Sequence, residues 1–232
     1  MKKFYFLLVL ICIGLTYSPY AQKPKPNKYG LVVVNKYEDY KNLVKSDSTQ
    51  ELVELEKFIP DIKLDIRYAT KNNFFGEPVY KMSRAFARRP AAEALKQVQE
   101  ELKTKGLCLK IFDGYRPYSV TVRFFEKLKD TIFLAVPWRG SRHNRGCAVD
   151  LTICSLETGK DIEMPTPFDD FTDKAHAEYK NLPDSVIKNR EFLKEIMTRH
   201  GFKVLADEWW HYDYNDWKKF EITDIPFEKL VK

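Results

Sequence analysis

Residues 141–153 read Ser141-Arg142-His143-Asn144-Arg145-Gly146-Cys147-Ala148-Val149-Asp150-Leu151-Thr152-Ile153. The first half is polar and ends on a glycine. The second half is an apolar run of strand-forming residues, so a loop is expected to feed a strand over Ala148–Ile153. Asp150 interrupts that run. A carboxylate inside a buried strand has to be paired or to bind a metal, because burying it bare is costly. Side chains alternate along a strand, so Asp150 and Thr152 share one face and Val149, Leu151 and Ile153 the other. One face is expected to pack as core and the other to carry function.

The neighbouring segments supply the rest of a domain. Leu107 to Phe112 predicts a short strand before this one. Pro90 to Lys105 predicts a helix: proline suits a first turn, Leu95, Val98 and Leu102 recur at helical spacing, and Gly106 stops it. Tyr118 to Lys129 predicts a second helix and Asp184 to His200 a third, closed by Gly201. Phe202 to Leu205 reads as a strand, with continuation through Tyr212 left open. The alternation of Ile62, Leu64, Ile66 and Tyr68 reads as another strand, followed by a loop over Asn72–Pro78. Helices and strands are interspersed without regular β-α-β spacing. The expected fold is α+β: a single domain with a central, largely antiparallel sheet flanked by helices.

The ends of the chain read differently. Lys2 and Lys3 precede an apolar stretch from Phe4 to Leu15, and Ala21 offers a small residue before Gln22. Residues 1–21 are thus expected to be a secretory signal peptide, with an uncleaved anchor as the alternative. Residues 22–45 are expected to be a linker, opening on the polar, proline-bearing QKPKPNKYG, and residues 46–232 the functional domain. The location expected is secreted or periplasmic, with no stable membrane insertion once the leader is removed. Without Lys2 and Lys3 the 39 basic residues fall to 37 against 33 acidic ones. That dispersed surplus is a solubility feature and argues against a nucleic-acid partner. Cys108, Cys147 and Cys154 remain after the leader. Three is odd, no C-x-x-C pair occurs, and a cysteine zinc site is not expected. A Cys108–Cys154 bridge is compatible with export, and sequence leaves it open.

The second chemical segment is Glu208-Trp209-Trp210-His211-Tyr212, a carboxylate and an imidazole among aromatics. In a regular strand Glu208 and His211 point to opposite faces, so the chain has to bend near Glu208 for both to reach one centre. Two histidines and an aspartate make a common three-ligand zinc set with a fourth position for water. A nearby carboxylate then takes that water's proton. His143, Asp150 and His211 are the expected ligands of one zinc ion, and Glu208 the expected base. His176, in a charged loop, and His200, at a helix C-terminus, read as surface residues.

At these residues the chain resembles the zinc D-alanyl-D-alanine metallopeptidases, whose signature S-x-H-x-x-G-x-A-x-D followed by E-x-W-H it carries. Asp65-Ile66-Arg67-Tyr68-Ala69-Thr70 with Asn73-Phe74, Asp113-Gly114-Tyr115-Arg116-Pro117, and Met164 with Phe168-Asp169 resemble motifs of the dipeptidase, VanX-type branch. The resemblance spans roughly residues 50 to 215. It implies that His143, Asp150 and His211 bind zinc and that Glu208 acts as general base and then acid. It also implies that Arg116 steadies the oxyanion and that Asp169 binds the substrate's free amine, with Asp170 adjacent as an alternative. Ser141 and Tyr68 are implied to line the substrate site. The stretch between Arg116 and Ser141 is shorter than in some resistance-type members, which leaves the size limit on substrates open.

The activity so implied is hydrolysis of a small D,D-dipeptide, D-Ala-D-Ala, to two D-alanines in cell-wall peptide turnover. A D,D-carboxypeptidase acting on stem peptides is the near alternative, and a non-catalytic zinc- or wall-binding module the distant one. The presence of Glu208 argues against the last.

Overall fold

The computed structural model describes residues 25–129 and 134–231. The expected signal peptide lies outside the described residues. Five strands form the main sheet: β2 (Lys63–Leu64), β4 (Leu107–Asp113), β5 (Ala148–Ser155), β6 (Phe202–Leu205) and β7 (Glu208–Tyr214). Their order is β2-β4-β5-β7-β6. Only β2 and β4 run parallel, and the other pairs are antiparallel, as expected. A small second sheet pairs β1 (Leu52–Glu54) with β3 (Phe86–Arg88).

The three long helices after residue 85 follow the predicted positions closely, and two unpredicted single turns join them. They are α3 (Arg89–Lys103), α4 (Tyr118–Leu128) and α5 (Asp184–Arg199), with single turns α2 (Leu55–Phe58) and α6 (Phe227–Leu230). Helix α3 buries Leu95, Val98 and Leu102 at helical spacing. It also buries Gln99, whose Oε1 accepts from the Leu109 backbone N–H at 2.8 Å. β2 pairs with β4 only at Lys110 and Ile111, so Gln99 satisfies a strand-edge donor that would otherwise be buried unpaired.

Two sequence expectations need correction, and one left open is settled. The stretch 22–45 is not a linker as a whole, because α1 (Tyr37–Ser46) forms within it and Val34 bridges to Thr223. Tyr37, Tyr40 and Val44 fall on one helical face, and the buried Tyr40 hydroxyl accepts from Leu52 N–H at 2.8 Å. The alternation from Ile62 to Tyr68 yields only a two-residue strand, then a 3-10 turn over Arg67–Ala69. Local bonds end the ladder: Arg67 Nε donates to Asp65, while Thr70 Oγ1 and Asn73 Nδ2 both donate to Arg67 O. The run from Phe202 to Tyr212 is two strands, with a reversal at Ala206–Asp207. The β6–β7 register shifts between Val204, which pairs with Tyr212, and Leu205, which pairs with Glu208, so the required irregularity falls on β7 between Glu208 and Tyr212.

Strand β5 is buried on both faces, Thr152 included. Its functional face is therefore covered as well as its core face. Arg88, at the end of β3, is fully buried and braces three segments. It donates to Gln50 O, Arg145 O, Glu221 O and Thr223 Oγ1.

Candidate metal centre and active site

The sheet register lines up the chemistry. Asp113 on β4 pairs with Asp150 on β5, and Asp150 pairs with His211 on β7. His143 arrives from outside the sheet, on a 3-10 turn over His143–Arg145. Gly146 ends that turn at φ +69°, a left-handed conformation that favours glycine. A Cβ there would also sit 2.5 Å from Leu52 Cδ2. Asn144 pins the loop from within. Its Oδ1 accepts from Ser141 N–H at 2.7 Å, and its Nδ2 donates to Arg116 O and Thr121 Oγ1.

His143, Asp150 and His211 converge with their ligand atoms within 4.8 Å of one another, all buried. His143 Nε2 lies 3.1 Å from His211 Nδ1. Asp150 Oδ1 lies 3.1 Å from His211 Nδ1 and 3.4 Å from His143 Nε2, yet makes no well-formed hydrogen bond. Two imidazole nitrogens and a carboxylate oxygen crowding one point, with the oxygen unsatisfied, fit a divalent metal with N and O ligands. The ring orientations agree. His143 Nδ1 bonds the Gly114 carbonyl at 2.8 Å, leaving Nε2 to the centre. Gly114 cannot be replaced without cost, since a Cβ would meet Phe86 O at 2.6 Å.

Electrostatics match this geometry. Burial works against charge on His211, but Asp150 and Asp213 outweigh it and raise the imidazole to about 10. Burial pushes the Asp150 carboxyl up, but His143 and His211 override it, and it lies below the usual carboxylate range. Glu208 Oε2 stands 3.6 Å from His211 Nδ1. Burial, helped by Asp150, raises Glu208 to about 7 against His211 and Arg116. A carboxyl near 7 beside this triad suits proton transfer at neutral pH.

Arg116 is buried against Asp113, with Nε and Nη2 each 2.9 Å from Asp113 Oδ2. Its Nη2 lies 3.7 Å from Asp150 Oδ2, and its guanidinium stacks over Tyr68 and Phe124. Asp113 in turn accepts from Tyr80 O–H and Gly114 N–H. Tyr68 donates to Asp169 Oδ1 at 3.1 Å. Asp169 Oδ2 is buried with no partner among the described residues, and its backbone is left-handed at φ 62°. Burial, with Asp150 nearby, holds that carboxyl well above the usual range. Asp170 is spent locally instead, accepting from Thr172 N–H and O–H.

Every site residue singled out from the sequence lines one cavity of about 530 Å³: Tyr68, Arg116, Ser141, His143, Asp150, Asp169, Glu208 and His211. Leu134, Val136 and Arg139 help to wall it, so part of the short stretch before Ser141 borders the pocket. His200 lies elsewhere, paired with Glu101 at 2.8 Å. Sequence reasoning missed Asp113 as the anchor of Arg116, Asn144 as the loop pin, and Asp213, whose Oδ1 lies 2.9 Å from His211 Nε2. The period of two after His211 was the available signal for Asp213.

A metal-ready triad, an adjacent carboxyl and a fixed arginine in one cavity make up a metallohydrolase site. Residues 48–227 match the D-Ala-D-Ala dipeptidase family. The chain is 33% identical over 168 residues to the D-alanyl-D-alanine dipeptidase of Escherichia coli, covering 72% of this chain and 86% of that one. It is 29% identical over 182 residues to that of Enterococcus faecalis, covering 70% and 90%. Among solved structures, VanXYg with a D-Ala-D-Ala phosphinate analogue is more distant. It shows 20% identity and a TM-score of 0.35 over 68% of this chain and 55% of that one. The chain belongs to the D-Ala-D-Ala dipeptidase family and is a metallopeptidase of that zinc-dependent class.

Proposed function

We propose that the protein is a single-zinc peptidase that cleaves the free D-Ala-D-Ala dipeptide, with His143, Asp150 and His211 as its metal ligands. The carrying observation is the convergence of Asp150 Oδ1 with two imidazole nitrogens, at 3.1 and 3.4 Å, on one cavity. Zinc bound there would polarise the scissile carbonyl and lower the pKa of a bound water. Glu208 is placed to take the proton of an attacking water and to return it to the leaving amine. Arg116, held by Asp113, offers its fixed charge to the oxygen that becomes negative. Asp169 receives the substrate's ammonium on its unpaired Oδ2. An N-acylated stem peptide has no ammonium to satisfy that group, which favours the free dipeptide. Tyr68 orients Asp169, and Ser141 borders the cavity on the loop that carries His143. The leader-like N-terminus supports action outside the cytoplasm, in recycling of wall peptides.

The test is D-alanine release from D-Ala-D-Ala and from an N-acylated D-Ala-D-Ala peptide, with and without a zinc chelator. Chelator-sensitive release from the free dipeptide alone is expected. Release from the acylated peptide would instead identify a carboxypeptidase, and release from neither a binding module. Glu208→Ala should keep zinc and lose turnover by several orders of magnitude; full activity in that variant would remove Glu208 from the mechanism.

A further inference from the structure

Asp213 lies behind the metal centre, outside the residues that line the cavity. It follows His211 by two positions on β7, so both side chains project to the same face of the strand. Asp213 Oδ1 lies 2.9 Å from His211 Nε2. A neutral imidazole has one donor and one acceptor nitrogen. A carboxylate facing Nε2 keeps a proton there, so Nδ1 is the nitrogen the ring presents to a metal, toward Asp150 and His143.

The second oxygen of Asp213 is also engaged. Oδ2 lies 3.3 Å from Arg142 Nη1. Arg142 sits between Ser141 and His143, and its guanidinium lies 5.2 Å from the ring centre of Trp217, which borders the cavity. One carboxylate therefore joins the loop carrying the first histidine to the strand carrying the second. The two imidazoles are supported unequally: His143 leans on a neutral carbonyl, His211 on a charged carboxylate. A carboxylate behind a ligating imidazole strengthens it as a donor and fixes its ring.

We propose that Asp213, tethered by Arg142, is a positioning residue for the metal: it sets the His211 tautomer and holds the His143 loop in register with β7. This rests on the zinc reading of the site. Asp213 touches neither substrate nor reacting atoms, so its action runs through His211.

The experiment measures zinc dissociation constants for the full chain by competition with a chromophoric chelator, alongside melting of the metal-free protein. Asp213→Ala should weaken zinc by about 10- to 100-fold. Asp213→Asn keeps a carbonyl for the Nε2 proton but loses the charge, and should fall between Ala and wild type. Arg142→Met should weaken zinc less than Asp213→Ala. Cobalt loaded into Asp213→Ala should show an altered visible spectrum, since the ring orientation is no longer fixed. Wild-type zinc affinity in Asp213→Ala, with or without a lower melting temperature, would mark Asp213 as structural and overturn the proposal. A wild-type chain that takes up no zinc would overturn the metal reading beneath it, and the positioning role with it.

Discussion

Asp150 and His211 are register partners across β5 and β7, and they bring Oδ1 to 3.1 Å from Nδ1. In the metal-free protein this is a buried ion pair, with the imidazole raised to about 10 and the carboxyl held below its usual range. The raised histidine contributes stability in full below its unfolded value of 6.5, and that contribution is lost as pH rises through about 10. The depressed aspartate contributes stability above its unfolded 3.8, lost as pH falls through its lower folded value. A metal on Nδ1 has to displace the proton there. Zinc affinity is therefore expected to rise up to about pH 10 by about tenfold per pH unit for each proton displaced. Calorimetry of zinc binding in buffers of different ionisation enthalpy should detect release of a site proton at neutral pH. Binding without proton release would contradict the charged His211.

Asp169 carries the preference for a free amine. Its Oδ2 has no partner among the described residues, and Tyr68 holds only Oδ1. Removing one side of a buried charge pair costs about 2 kcal/mol or more, which is about 30-fold in kcat/KM. Asp169→Asn should lose that much on the free dipeptide while any residual rate on the N-acylated peptide stays constant. Equal losses on both substrates would place the amine elsewhere.

Arg116 reaches the cavity as a preset fork, locked by Asp113 from below. Lysine offers a point charge without that fork. Arg116→Lys is expected to lower kcat by about 100-fold or more, as loss of an oxyanion donor does, with a smaller change in KM. Steady-state kinetics separate the two. A change confined to KM would make Arg116 a substrate-binding group instead.

Arg88 is a stability site without catalytic contact. Its donors reach Gln50, Arg145, Glu221 and Thr223, so one side chain ties the N-terminal segment, the His143 loop and the C-terminal segment together. Arg88→Met leaves those acceptors buried and unsatisfied, at a cost of about 3 kcal/mol. Urea denaturation of the zinc-free protein should show the loss as a lower midpoint. An unchanged midpoint would mean that water replaces the guanidinium.

Cys108 and Cys154 face each other as register partners, with sulfurs 2.7 Å apart. Cys147 is buried elsewhere, and burial pushes its thiol up to about 12. Incubation with oxidised glutathione should form one Cys108–Cys154 disulfide, reducing the glutathione to two thiols and leaving Cys147 free. Peptide mapping by mass spectrometry without prior reduction reads this directly. Recovery of Cys108 and Cys154 as free thiols alone would show that the packed sheet keeps the oxidant out.

Sequence alone was enough for the three long helices, the central strands and the placing of His143, Asp150, Glu208 and His211 in one site. These are local signals: helical spacing in α3, a lone carboxylate in an apolar strand, and a histidine and a glutamate set among tryptophans. It misjudged the segments whose conformation is set by partners far along the chain. Helix α1 gains its place because the Tyr40 hydroxyl meets Leu52. The Ile62–Tyr68 stretch leaves the sheet because side chains of Thr70 and Asn73 compete for the Arg67 carbonyl.

Tertiary contacts alone set which nitrogen of each histidine faces the centre, that Asp169 and not Asp170 holds the unpaired oxygen, and that Asp213, paired with Arg142, backs His211. Residue type and spacing fix which groups a chain carries and the face of a strand on which each lies. The partner each buried polar atom meets depends on contacts between strands and loops distant in sequence, and burial makes those partners decisive because an unpaired polar group costs too much to persist without a ligand.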